Sequence, residues 1–188
     1  MQTIHASVHR ERGRDRPRWM EELRDHSHVW IRPAHREDAA TERVFIKALW
    51  PPARRDRFLG QVRYPGQALI EQLTDLDYVH DVAFAAVVPD PLGEMFVAVA
   101  RYSTTSNDTE CECAVSVLDD WQHRGLGTAL MRHLVDMAKI RGIKRMWSVD
   151  SVENSAMADL ARRLGFKRNV DPEDTSQVIH TLWIGAKS

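Results

Sequence analysis

The sequence predicts an α+β domain: a mixed, mostly antiparallel central sheet of about six to seven strands, flanked by helices. Three observations carry that prediction. Runs of period two and runs of period 3.6 alternate in the order strand, two helices, three strands, helix, strand, helix, two strands. Two apolar runs separated by Pro89-Asp90-Pro91-Leu92-Gly93 read as a β-hairpin. The strand after that hairpin runs directly into a loop carrying two glycines, from which a long amphipathic helix starts. With 188 residues and 43% hydrophobic composition, the chain is one domain's worth with enough apolar surface for a sizeable core.

Residues 1–27 are polar and punctuated by Arg10, Arg12, Arg14, Arg16 and Arg18, with Glu11 and Asp15 between them. They read as a solvated, partly disordered tail with a short helix, and the domain is expected over residues 28–188. Val29-Trp30-Ile31-Arg32-Pro33 is a short strand stopped by proline. His35 to Asp38 then start a helix with Val44, Phe45, Ala48 and Leu49 on its apolar stripe, ended by Pro51-Pro52. Leu69, Ile70, Leu73 and Leu76 mark a second helix, and the irregular stretch 54–66 between the two is a candidate acceptor-substrate loop. Residues 82–88 and 95–102 are the hairpin arms, 103–108 a turn, and 110–118 the third strand. The long helix covers about 124–141, with Leu126, Leu130, Leu134 and Ala138 four apart and Gly142 as its stop. Residues 146–149 form a buried strand. Asn154 opens a helix whose Met157, Leu160, Ala161 and Leu164 share one face before Gly165, and after Phe166 the last strand spans 177–184.

Composition excludes several classes of function. The formal net charge is −1, so no global basic field argues for nucleic acid, and no run of 18 apolar residues argues for a membrane span. No apolar segment of the secretory kind stands near Met1. Cys111 and Cys113 lie too close in one strand to bridge, which makes a reducing cytoplasm the default compartment. No H-E-x-x-H pattern or Cys/His quartet suggests a metal.

The junction at residues 115–128 carries the chemistry. Each glycine in a first helical turn costs up to about 1 kcal/mol against alanine, so two imply a need, and the need inferred is close approach of an anion. Backbone N–H groups from Gln122 to Thr128 lack intrahelical partners, the helix dipole adds partial positive charge, and Arg124 adds a full one: a seat for a pyrophosphate. No lysine follows Gly127 as a P-loop requires, and Leu130 stands where a dinucleotide fingerprint needs a third glycine. The form Q-x-x-G-x-G at Gln122, His123, Arg124, Gly125, Leu126 and Gly127, with the element order above, resembles the acetyl-CoA loop of the GNAT N-acetyltransferase superfamily over residues 29–184. The runs L-D-D-W-Q-H-R-G-L-G-T, N-S-A-M-A-D-L-A-R-R-L-G-F and T-D-L-D-Y are similar to the acetyltransferase domain of bacterial Pat-type protein lysine acetyltransferases, which act on acyl-CoA synthetases and related enzymes.

That resemblance implies acetyl-CoA as cosubstrate and no metal. It implies that the backbone of Val115 and Val117 pairs with the pantetheine arm, that Gln122, His123, Arg124, Gly125, Leu126, Gly127 and Thr128 hold the pyrophosphate, and that Asn154 hydrogen-bonds the pantetheine or serves simply as a helix N-cap. For the base, the residues themselves offer Glu110 and Glu112 on one face of the third strand. Pat-like enzymes place the catalytic glutamate ten residues before the motif glutamine, which is Glu112 here. The tyrosine that many relatives use to protonate the departing thiolate is replaced by Ala161. Cys111 and Cys113 alternate away from Glu112 and read as core, while His123 and His133 read as surface. The acceptor is a protein lysine, for example on an acyl-CoA synthetase, or a small amine such as a polyamine or antibiotic; a non-catalytic CoA-binding module is the third reading. A long acidic funnel around residues 54–66 would favour a cationic small molecule, and a shallow open groove a protein acceptor. Oligomeric state, monomer or dimer, is left open.

Overall fold

The computed structural model describes residues 17–49 and 66–185. An eight-stranded sheet organises them, in the order β1-β2-β3-β4-β5-β6-β8-β7. Its strands are β1 (Trp19–Glu22), β2 (His28–Pro33), β3 (Asp81–Asp90), β4 (Gly93–Thr104), β5 (Glu110–Val117), β6 (Arg145–Ser151), β7 (Lys167–Val170) and β8 (Gln177–Trp183). Every neighbouring pair is antiparallel except β5 and β6. The helices are α1 (Ala39–Ala48), α2 (Gln67–Thr74), α3 (Leu126–Ile140) and α4 (Ser155–Leu164).

Alternation along the strands divides the core in two. Ala83, Ala85, Val87, Phe96 and Val99 meet Phe45, Ile46, Ile70 and Leu73 of α1 and α2 on one face of the sheet. Phe84, Ala98, Ala100 and Met146 meet Leu126, Leu130, Leu134 and Ala138 of α3 on the other, where Ala161 of α4 is also buried. The four-residue spacing seen in the sequence is the stripe that α3 buries. Under α1, Glu42 is completely buried and accepts from Arg101 Nη2 on β4 at 2.8 Å, so the ion pair fixes the helix to the strand.

The structure differs from the sequence reading at the start of the chain. Where a tail with a short helix was expected, Trp19–Glu22 forms an edge strand paired in register with residues 28–31 of β2. Trp19 packs edge-on against Phe84 and lies 4.9 Å from the His133 ring, and Leu23 is buried. His133, expected at the surface, is therefore held between Trp19 and Glu21, whose Oε1 is 3.1 Å from Nε2. The eighth strand comes from this hairpin. Most of the candidate acceptor loop at 54–66 lies outside the described residues; only Gly66, which precedes α2, is among them.

Candidate active site

β5 is held differently on its two edges. On one side the ladder to β4 runs unbroken from Ala98↔Val117 to Thr104↔Cys111. On the other the ladder to β6 holds only Glu110↔Arg145, Cys111↔Met146 and Glu112↔Trp147 before the strands part. Leu118 N–H donates to the Val97 carbonyl at 3.0 Å, and the alternation of an antiparallel ladder then turns the backbone groups of Val115 and Val117 the other way, into the gap. There the Val117 carbonyl accepts from Gln122 Nε2 at 3.3 Å. The gap is a cavity of about 510 Å³ bounded by β5, β6, the 119–128 loop and α4.

The loop is shaped to present its backbone. After the extended Gln122, His123 takes φ 60° and Gly125 φ 92°, left-handed values that bend the loop sharply before α3. Gly125 is the N-cap of α3 and offers no side chain to the first turn, whose N–H groups thus remain available at the mouth of the cleft. A β-carbon on Gly125 would be strained by that φ and would also stand 3.4 Å from Arg24 Nε. Gly127 serves a different purpose. A β-carbon there would stand 3.6 Å from Leu160 and 3.7 Å from Val117, which alanine could fill, but any longer side chain would occupy the cleft between β5 and α4.

Of the residues singled out in the sequence, Glu112, Val115, Val117, Gln122, His123, Gly125, Leu126, Gly127, Thr128 and Asn154 all line this one cavity. Two of them line it with qualification. The Leu126 side chain is in the core, so only its backbone is offered to a ligand. Asn154 caps α4, its Oδ1 accepting from Met157 N–H at 3.0 Å, which leaves its amide NH2 for a second partner. Arg124 is the exception: its guanidinium pairs with Asp25 at 2.9 Å, lies over the Trp121 ring at 4.9 Å, and does not line the cleft.

Glu112 stands at the last rung before the strands part. Its carboxyl is pushed up from its ordinary value by desolvation alone, and among the described residues it has neither an ion pair nor a hydrogen bond. Glu110 is committed instead to Arg145 at 3.0 Å. The two thiols are buried on the opposite face of β5, Cys113 in the cavity wall near Asp150; burial pushes Cys111 up to about 12 and Cys113 well above its usual range, so both are protonated packing groups rather than nucleophiles.

Among the lining residues not singled out in the sequence are Ser148, Asp150 and Arg24. Ser148 and Asp150, neighbours on one face of β6, are buried in its wall with Ser148 Oγ donating to Asp150 Oδ2 at 2.8 Å. Their i, i+2 spacing was the available signal. Arg24 lines the cleft from the β1–β2 turn, and nothing local in the sequence marks it. Among the described residues no group of three His, Cys, Asp or Glu is arranged to hold a metal ion.

Comparison with known proteins follows this geometry. Residues 8–166 match the acetyltransferase (GNAT) family. The chain is 46% identical over 164 residues to the acetyltransferase PA5475 of Pseudomonas aeruginosa, an alignment covering 87% of this chain and 88% of that protein. It is 35% identical over 110 residues to the acetyltransferase Pat of Mycolicibacterium smegmatis, covering 58% of this chain but only 32% of that longer protein. Among solved structures, the GNAT domain of S. lividans PAT superposes with a TM-score of 0.80 at 24% identity, covering 88% of this chain and 96% of that one, a likeness of fold. The Salmonella typhimurium protein yncA, solved with its cofactor acetyl-CoA, shares the fold at a TM-score of 0.66 and 19% identity, covering 86% and 97% of the two chains.

Proposed function

The chain belongs to the GNAT acetyltransferase family, and on that premise we propose that it moves an acetyl group from acetyl-CoA to the side-chain amine of a protein lysine, with Glu112 as general base. The observation that carries the reading is the position of Glu112: an unpaired carboxyl, solvent-accessible yet partly desolvated, at the rung where the β5–β6 ladder opens into the cleft.

The cleft fits the cosubstrate. The free edge of β5 at Val115 and Val117 can accept the pantetheine arm as though it were another strand, and the first-turn N–H groups of α3 with the 122–128 loop suit its pyrophosphate. The thioester then lies toward Glu112. An ammonium near pKa ~10.4 facing a carboxylate near ~4.3 leaves proton transfer uphill by about 8 kcal/mol. Desolvation narrows this from both sides, raising the Glu112 carboxyl and lowering the amine as it enters. With its proton taken by Glu112, directly or through a water, the amine nitrogen attacks the acetyl carbonyl carbon. The new C–N bond forms, the C–S bond breaks, and the CoA thiolate leaves. Ala161 is buried and has no proton to give, so that thiolate takes its proton from another source.

The protein acceptor is supported by the side chains on the face on which Glu112 lies. Glu112, Trp147 and Thr181 share one cross-strand row there. Beyond them Trp183 is 55% exposed, so β6 and β8 present aromatic side chains near the base. The relationship to the Pat acetyltransferase points the same way. Two buried free thiols fit the reducing cytoplasm proposed as its compartment.

The test is CoA release from acetyl-CoA with an acyl-CoA synthetase as acceptor and, separately, with a polyamine panel, in wild type and Glu112→Ala. Synthetase-dependent turnover that is lost in the variant is the expected result. Turnover with polyamines alone would replace the lysine reading, and CoA binding without any turnover would replace the enzyme reading by that of a binding module.

A further inference from the structure

We propose that Arg24, on the turn between β1 and β2, is a cofactor-binding residue that neutralises the diphosphate of acetyl-CoA, the role the sequence motif would give to Arg124. The inference rests on the acetyl-CoA reading of the cleft and adds to it a residue from outside the glycine motif.

Two facts carry it. The first is where the two guanidinium groups are. Arg124 is drawn away from the cleft by Asp25 and Trp121, whereas Arg24 lines the cleft, with its Nε and aliphatic stem lying across Gly125. Among the described residues the Arg24 guanidinium has no ion-pair or hydrogen-bond partner, so it is a cation free to act at the loop, as Arg163 is across the cleft on α4. Adjacent residues of opposite charge make this exchange: Asp25 takes the motif arginine and Arg24 takes its place. Arg24 also borders a second cavity of about 280 Å³ between the hairpin and α3.

The second is that the turn is fastened to the loop rather than merely near it. Arg24 N–H donates to the Arg124 carbonyl at 3.0 Å. Upstream, Trp19 and Glu21 both hold His133 of α3. The position of the Arg24 α-carbon is thus fixed against the first turn of the same helix whose N–H groups face the cleft. A diphosphate carries two full negative charges, against which a helix N-terminus offers only about half a positive charge, and a guanidinium supplies the planar, always-charged complement.

The experiment titrates the full chain with acetyl-CoA, 3′-dephospho-acetyl-CoA and S-acetylpantetheine by calorimetry, with no acceptor present, in wild type, Arg24→Gln, Arg24→Lys and Arg124→Gln. Arg24→Gln is expected to weaken both nucleotides about tenfold, as for one lost charge-assisted contact, and to leave S-acetylpantetheine unchanged. Arg24→Lys should recover most of the loss, and Arg124→Gln should have the smaller effect. The assignment is overturned if Arg24→Gln binds acetyl-CoA as wild type does, if the loss extends to S-acetylpantetheine, which would mark a disturbed fold, or if it vanishes with the 3′-dephospho compound, which would put the contact at the 3′-phosphate. Wild type that binds neither nucleotide would overturn the acetyl-CoA reading itself, a result distinct from an unaltered Arg24→Gln. A wrong acceptor leaves every one of these titrations as it is.

Discussion

The two edges of β5 carry alternate residues of one strand and do opposite things. Toward β4, Glu112, Ala114 and Ser116 face Ser103, Arg101 and Val99 along an unbroken ladder. Toward β6, pairing stops at Glu112, and the groups of Val115 and Val117 look into a cleft. A strand can therefore be a structural member along one edge and a binding surface along the other, and the site begins where its second ladder ends. This is why side-chain identity at Val115 and Val117 says little about binding: the backbone is the ligand-facing group.

The largest effect that would test this contrast is at the rung where the two edges diverge. Glu112→Gln should lower kcat by about 100-fold or more while leaving acetyl-CoA affinity within a factor of two, read by steady-state rates and calorimetry. In wild type, kcat/KM should rise with pH through a base pKa above the usual carboxylate range, because Glu112 must be ionised to act. A variant that keeps full kcat would remove Glu112 as the base.

Proline substitutions separate the edges directly. Ser116→Pro removes a donor on the β4 side and should cost on the order of 3 kcal/mol, some 6–12 °C of midpoint for a domain of this size. Val115→Pro removes a donor on the cleft side; it should cost less than half as much stability yet weaken acetyl-CoA about tenfold. Equal midpoints for the two would contradict the division of the strand. Gly125→Ala is expected to cost about 1–2 kcal/mol for its left-handed φ, together with a loss of cofactor affinity, whereas Gly127→Ala, which meets only ordinary contacts, should be nearly neutral in thermal denaturation.

The smallest effect concerns stability. Desolvation holds the folded-state pKa of Glu112 above its unfolded value, so the stabilisation of the protonated form is complete below the unfolded pKa and is lost as pH rises through the folded pKa. Glu112→Gln should therefore raise the melting midpoint slightly at pH 7 to 8, an advantage that shrinks below about pH 4. A lowered midpoint at neutral pH would mean that Glu112 has a stabilising partner.

What the sequence made legible is what local chemistry dictates. The four-residue spacing of Leu126, Leu130 and Leu134 predicts the buried face of α3, Asn154 predicts a cap, and the two glycines predict a loop that exposes backbone. Element ends moved by a few residues, as fraying and caps allow. The hairpin at Trp19 was not legible, since four residues among arginines carry too little period-two signal and their pairing depends on a long-range contact with Phe84 and His133. The same holds for the exchange of arginines: Asp25 and Arg124 are neighbours only because the hairpin folds onto α3. Ser148 and Asp150 were passed over because a short strand whose apolar residues are mixed with polar ones reads as core rather than cavity wall.

The burial of Cys111 and Cys113 has a practical consequence for watching the reaction. With the Cys111 thiol pushed up to about 12, Cys113 well above its usual range, and both buried, Cys113 in the cleft wall, the folded protein should react only slowly with thiol-specific dyes at neutral pH. Colour developing quickly in a reaction mixture then reports liberated CoA, and a slow additional release of two thiols per chain on heating becomes an internal clock for the opening of the sheet beside the cleft.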